Sequence, residues 1–198
     1  LQDLKQTVNT DHAWTKSMAG HLIRKIEENG GCLDTGFLAT PYLLDAICKT
    51  GRVDQAYQLL LQTKCPSWLY EVKQGATTIW ENYIAYKEDG TPVMTSLNHY
   101  AFGCVDDWMF RKISGIQPAA PGFKEIVIAP ELNDAFTNAK RAYMSEYGKI
   151  ATAWDLKDGK FHIEVDIPCN TTAVVNLPDG SSYKIGSGPY TFDCDVKQ

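Results

Sequence analysis

Gln117-Pro118-Ala119-Ala120-Pro121-Gly122 divides this 198-residue sequence into two parts of different character. Two prolines and a glycine within six positions read as a linker. Before it, apolar residues recur at helical spacing; after it, they alternate as in strands. The division predicts a helical domain over 1–117 and a β domain over 118–198, an α + β multidomain chain.

Working back from the linker, the last helix is expected from about Leu97 to Ile113. Its buried stripe would be Phe102, Val105, Met109, Ile113 and Ile116. His99, Gly103 and Asp106 share a second face. Further upstream, Trp14, Met18, Leu22 and Ile26 recur every four residues, and Gly30-Gly31 stops that helix. Thr40-Pro41 reads as an N-cap followed by proline at the first helical position, and the helix it opens runs to Gly51. Another starts near Val53, with Ala56, Tyr57, Leu59, Leu60 and Leu61 on a broad apolar face, and breaks at Cys65-Pro66-Ser67. The connections are not bland. Cys32 to Phe37 joins two helices, and Trp68-Leu69-Tyr70-Glu71-Val72 is expected to be extended. Helices alternating with such loops describe helical hairpins in a ring or layer, with the special residues gathered at one end.

Forward of the linker, short apolar runs are spaced by turn signals. Lys124–Ala129, Ile150–Trp154, Phe161–Ile167, Thr172–Leu177, Ser182–Ile185 and Tyr190–Cys194 are expected as antiparallel strands, with Asp158-Gly159 and Asp179-Gly180 as turns. They predict a β-sandwich serving as a brace, since no cluster of acids or aromatics stands out in it.

Composition excludes several functions. At 44% hydrophobic and 22% charged, the chain has the makings of a packed core. A net charge of −5 offers no basic footprint, so nucleic acid is not the expected partner. No apolar run approaches the roughly 18 residues that span a bilayer, so no membrane role is expected. The six cysteines form no C-x-x-C pair, so they are read as buried thiols, and neither metal nor cofactor is called for. The sequence begins with Leu1 and shows no signal layout, which suggests a piece of something longer.

The chemistry concentrates in Gln74-Gly75-Ala76-Thr77-Thr78-Ile79-Trp80-Glu81 and Ser96-Leu97-Asn98-His99-Tyr100. One acid and one imidazole, each beside an aromatic, suit a sugar site: rings stack on pyranose faces, and a carboxylate can activate water. Thr78-Ile79-Trp80-Glu81 equally fits a capping box, with Thr78 as N-cap and Glu81 reaching back to a backbone N–H. The two roles are compatible, because a helix start would favour the anion a general base must be. The bland reading of His99 is a hydrogen-bonded residue at a helix entry. A noncatalytic carbohydrate-binding or scaffold protein, with Glu81 only a cap, is the alternative from another class.

These motifs together resemble the α-L-rhamnosidases of glycoside hydrolase family 78. The resemblance rests on Leu33-Asp34-Thr35-Gly36-Phe37-Leu38-Ala39-Thr40-Pro41-Tyr42-Leu43, Pro66-Ser67-Trp68, Gly75 to Glu81, Ser96 to Gly103, and Ile113-Ser114-Gly115-Ile116 with Pro121-Gly122-Phe123. It implies the C-terminal part of an (α/α)6 catalytic barrel followed by an antiparallel β-sandwich. It implies release of terminal α-L-rhamnose with inversion from a rhamnose-containing glycan or glycoside. Carried over by motif, Glu81 would be the general base and His99 a rhamnose-pocket residue. Trp68 and Trp80 would be aromatic walls, with Asp34 and Thr35 at the same end. The family's general acid lies in an earlier part of the barrel absent here. This chain alone is therefore expected to be inactive and to need that N-terminal part. A glycosidase of the same barrel acting on another sugar is the nearest alternative.

Overall fold

In the computed structural model, residues 13–87 and 89–196 are described, with side chains from Ser17 onward. They form two compact units, one up to Val105 and the other from Asp106.

The first unit is helical. Helix α1 spans Ala13–Glu28, α2 Thr40–Lys49, α3 Val53–Leu60 and α4 Trp68–Lys73. The α1 stripe is narrower than its spacing suggests. Ile23 is buried, Leu22 and Ile26 half-buried, and Met18 exposed; the side chain of Trp14 lies outside the described residues. Two left-handed glycines, Gly30 and Gly31, end α1 as expected. Leu43, Leu44 and Ile47 of α2 pack toward Ala56, Tyr57, Leu59 and Leu60 of α3, the apolar faces the sequence marks.

Three local expectations differ. Thr40 is the first residue of α2 rather than its cap, and Ala39 precedes it without a side-chain cap. The stretch 68–72 is helical, not extended, because Ser67 accepts a hydrogen bond from the Tyr70 N–H (3.1 Å) and caps α4. The helix expected over 97–113 begins later, as a 3-10 turn over Ala101–Cys104 leading into α5, Val105–Lys112. His99 thus precedes the helix, and Asp106 belongs to the second unit, where it pairs with Arg141 at 3.1 Å. The two do not share a helical face.

The second unit holds α5 and eight strands: β1 Ile116–Pro118, β2 Glu125–Ile128, β3 Asn138–Ser145, β4 Gly148–Lys157, β5 Lys160–Ile167, β6 Thr172–Asn176, β7 Ser182–Ile185 and β8 Gly188–Asp195. They make two four-stranded sheets, β1-β2-β6-β7 and β3-β4-β5-β8. Burial alternates along β4 and β5, so Ile150, Trp154, Phe161, Ile163, Val165 and Ile167 face inward; Ile126, Ile128, Ala173 and Val175 do so from the other sheet. Asp158 and Gly159 both adopt positive φ, the primed turn their sequence signals. One pairing departs from the all-antiparallel expectation. β2 and β6 run parallel, because the chain between them crosses into the second sheet and returns.

The 117–122 stretch is not a free linker. Residues 116–118 pair with β2, Pro121–Phe123 forms a 3-10 turn, and the Ala119 N–H donates to Glu125 O at 2.8 Å. Just before it, the Trp154 indole N–H donates to Ile113 O (2.7 Å) and the Thr152 hydroxyl to Ser114 O (2.9 Å), both buried, which fastens the end of α5 to β4. Cys32 is buried whereas Cys169 is exposed. No helix among the described residues is long and apolar enough to cross a membrane.

Gly115 sits at this junction with φ +81, and a Cβ there would lie 2.5 Å from the Pro130 backbone nitrogen. The left-handed backbone and the clash together make Gly115→Ala expected to lower unfolding free energy by about 3 kcal/mol. Urea denaturation measures this; a loss below about 0.5 kcal/mol would mean the 129–130 backbone yields freely.

Candidate active site

A 380 Å³ pocket opens in the helical unit, walled by the 33–37 loop, Pro66, Glu81-Asn82-Tyr83 and Phe102. Three segments far apart in sequence meet there. The loop is held at its base by the Leu33 N–H on Pro66 O (3.1 Å) and the Asn29 amide on Cys32 O (3.1 Å). At its far end the buried Thr40 hydroxyl donates to Gly36 O (2.9 Å) and lies 2.8 Å from the Thr35 hydroxyl. Asp34 and Thr35 are thereby presented on a short, tied loop rather than a free one.

Glu81 stands on an irregular stretch, and no helix opens at Thr78. The capping box is absent because both groups find partners in another segment. Thr78 donates its hydroxyl to Leu97 O, and the Glu81 carboxylate Oε2 accepts the Ser96 N–H at 2.9 Å. Glu81 also donates its own N–H to Ser96 O (2.9 Å), and the His99 N–H donates to Ile79 O (2.9 Å). The 78–81 and 96–99 stretches are therefore laced together, and one oxygen of Glu81 is fixed by a backbone donor instead of a helix end.

His99 is not part of the pocket lining. Its ring stacks on Phe37, which is, at 4.8 Å and 13°, and on Tyr100 at 5.5 Å. Its Nδ1 accepts the Ala101 N–H (3.3 Å), so the neutral ring carries its proton on Nε2. Nε2 has no hydrogen-bond partner among the described residues.

Trp68 and Trp80 lie outside the lining as well, and both are buried. The Trp68 indole donates to Phe102 O at 2.9 Å. Trp80 meets the Tyr86 ring edge-on at 5.9 Å and donates its backbone N–H to Glu71 Oε2 at 3.2 Å. Trp68 is thus tied to the pocket residue Phe102, whereas the aromatic rings of the lining itself are Phe37, Tyr83 and Phe102. Tyr83 stacks on Phe102 at 4.4 Å and Phe37 tilts against Phe102 at 4.9 Å. Phe37 remains 39% exposed, enough to offer a face.

Sequence reasoning passed over these three rings and Glu71. Phe37 stood next to the chosen Asp34 and Thr35, and a lone acid between Trp68 and Val72 was a usable signal for Glu71. Burial raises the Glu71 carboxyl pKa, only partly countered by the Trp80 N–H, and raises that of the Tyr83 phenol, with the Glu71 charge adding to it. Among the described residues, no group of His, Cys, Asp and Glu is arranged to hold a metal ion.

The family model of the bacterial α-L-rhamnosidase 6-hairpin glycosidase domain matches residues 4–113, and that of the bacterial α-L-rhamnosidase C-terminal domain matches 115–191. An α-L-rhamnosidase of Formosa agariphila is 43% identical over 181 residues, covering 89% of this chain and 20% of that protein. One of Streptomyces avermitilis is 41% identical over 169 residues, covering 84% and 16%. The crystal structure of the Streptomyces avermitilis α-L-rhamnosidase complexed with L-rhamnose superposes with a TM-score of 0.88 at 36% identity, covering 92% of this chain and 20% of that one. The Aspergillus terreus α-L-rhamnosidase gives 0.87 at 35%, covering 92% and 22%. The chain spans about a fifth of the length of these relatives.

Removing the Thr40 hydroxyl should loosen the loop that carries Asp34. Thr40→Val is expected to cost about 1–2 kcal/mol, since Gly36 O and the Thr35 hydroxyl lose a buried partner. Denaturant unfolding reads the cost, and hydrogen exchange at Ala39 and Thr40 reads the loosening; unchanged exchange would show that the tie is dispensable.

Proposed function

The chain belongs to the bacterial α-L-rhamnosidase family, and from that premise we propose that it supplies the general-base side of the active site of an inverting glycosidase releasing terminal α-L-rhamnose. What supports the reading is the position of Glu81: it lines a pocket together with Asp34 and Thr35, and its carboxylate is oriented by the Ser96 N–H. The pocket volume lies within the roughly 300–1,000 Å³ of small-molecule sites.

In this reading Glu81 takes a proton from a water molecule as the oxygen attacks the anomeric carbon. The glycosidic bond breaks on the opposite face, and a carboxylic acid from another part of the barrel protonates the departing oxygen. The two carboxyl groups must stand about 6.5–9.5 Å apart to admit the water. Asp34 and Thr35 hydrogen-bond ring hydroxyls. Phe37, Tyr83 and Phe102 offer an apolar wall to a 6-deoxy sugar, whose methyl group has no hydroxyl to satisfy. His99 acts through its stack on Phe37 and through the donor at Nε2. Trp68 and Trp80 hold that wall in place. The exposed Leu38, Tyr42, Met94 and Tyr100 are surface that the remaining hairpins of the barrel would cover.

Two variants test this in the full-length protein. Glu81→Gln is expected to lower kcat on an aryl α-L-rhamnoside by roughly 10²–10⁴-fold without changing the melting temperature. Near-normal turnover would remove Glu81 from the role of base, and NMR detection of the first-formed anomer checks inversion. Phe37→Ala is expected to raise KM about tenfold, the worth of one lost aromatic contact of about 1.4 kcal/mol. A panel of other aryl glycosides tests the sugar itself: faster hydrolysis of one of them would reassign the substrate.

A further inference from the structure

The helical unit contains a buried acid that the chemistry above does not use. Glu71, on α4, is 2% exposed and has no ion-pair partner among the described residues. Its backbone carbonyl accepts the Gln74 and Ala76 N–H groups at 3.0 Å each, and its side-chain Oε2 accepts the Trp80 N–H at 3.2 Å. Both ends of the 74–80 loop therefore close on this one residue. Its other oxygen, Oε1, is buried without a hydrogen-bond partner among the described residues, as is the hydroxyl of Tyr83, a pocket residue whose phenol pKa is raised in part by Glu71.

A carboxyl costs more to bury than an amide would, and a single N–H acceptor does not require a carboxyl. What distinguishes this acceptor is where its hydrogen bond falls. Trp80 directly precedes Glu81, whose own backbone N–H is held by Ser96 O. The two successive N–H groups leading into the base are thus both held, that of Trp80 by the Glu71 carboxyl and that of Glu81 by Ser96 O. Burial raises the Glu71 carboxyl pKa, only partly countered by the Trp80 N–H, which disfavours a second full negative charge near Glu81.

We propose that Glu71 is a positioning residue for the reaction, fixing the Glu81 carboxylate against the sugar site through the Trp80 N–H. This rests on the reading of Glu81 as the base. A displacement of about 1 Å at a reacting group can cost 10²-fold in rate, so the grip has a kinetic consequence.

The test is a double-mutant cycle in the full-length protein on an aryl α-L-rhamnoside. Glu71→Leu removes the acceptor at similar volume and is expected to lower kcat about 10–100-fold, with KM within about threefold. Glu71→Gln keeps a neutral acceptor and should retain kcat within about threefold. In the Glu81→Gln background, Glu71→Leu should cost nothing further, because the group it positions is already gone. A folded Glu71→Leu protein with normal kcat overturns the proposal, as does an equal loss in both backgrounds. If Glu71→Leu fails to fold, Glu71→Asp decides: its acid is withdrawn by one methylene, and a normal kcat overturns the proposal while a kcat-only loss supports it. The Glu81→Gln single variant separately judges the base, so failure of that reading is seen before the cycle is closed.

Discussion

The lacing of Glu81 to Ser96 is the constraint on which the rest of the site depends. Two hydrogen bonds of 2.9 Å, one from the backbone of Glu81 and one to its side chain, join stretches with no regular secondary structure. Irregular backbone has no ladder to satisfy its polar groups, so each such bond must be supplied individually. Here the same bonds that satisfy the backbone also aim a carboxylate. Precision at this site comes from cross-linking two loops rather than from a helix end.

The surroundings make that lacing rigid. Ser67 caps α4, α4 carries Glu71, and Glu71 takes the Trp80 N–H. Trp68, the first residue of α4, donates to Phe102 O, and Phe102 in turn carries Tyr83 and Phe37 against its ring. Each side chain in this chain of contacts is buried or half-buried except Phe37. Dense packing allows little independent movement, so a change at Ser67 or Trp68 should be felt at the pocket wall. The β unit is built on different terms. Its two sheets bury alternate residues, and its junction with α5 is pinned by two buried side-chain hydrogen bonds to main-chain carbonyls.

Much of the fold is legible in the sequence. The turns at Asp158-Gly159 and Asp179-Gly180, the alternation in Phe161–Ile167 and the apolar faces of α2 and α3 all follow from short-range periodicity and turn chemistry. Glu81, Asp34 and Thr35 were identifiable as candidates, and they do line one pocket. The helical state of 68–73 was missed because its aromatic and β-branched residues favour strands, while its cap depends on one serine hydroxyl. The parallel pairing of β2 with β6 was missed because strand direction within a sheet is set by topology, not by the strands' own residues.

The sequence by itself determined the family, the change from helices to strands near residue 117, and the choice of Glu81, an acid that lines the pocket. Tertiary structure alone decided what surrounds that acid. Its hydrogen-bond partner lies 15 residues away, and the carbonyl that accepts the Trp68 indole N–H lies 34 residues from Trp68. Propensity and periodicity act over a helical turn or a strand pair, whereas these bonds depend on which loops the packed helices bring within 3 Å. That is why two conspicuous tryptophans lie outside the pocket lining, and three less conspicuous rings belong to it.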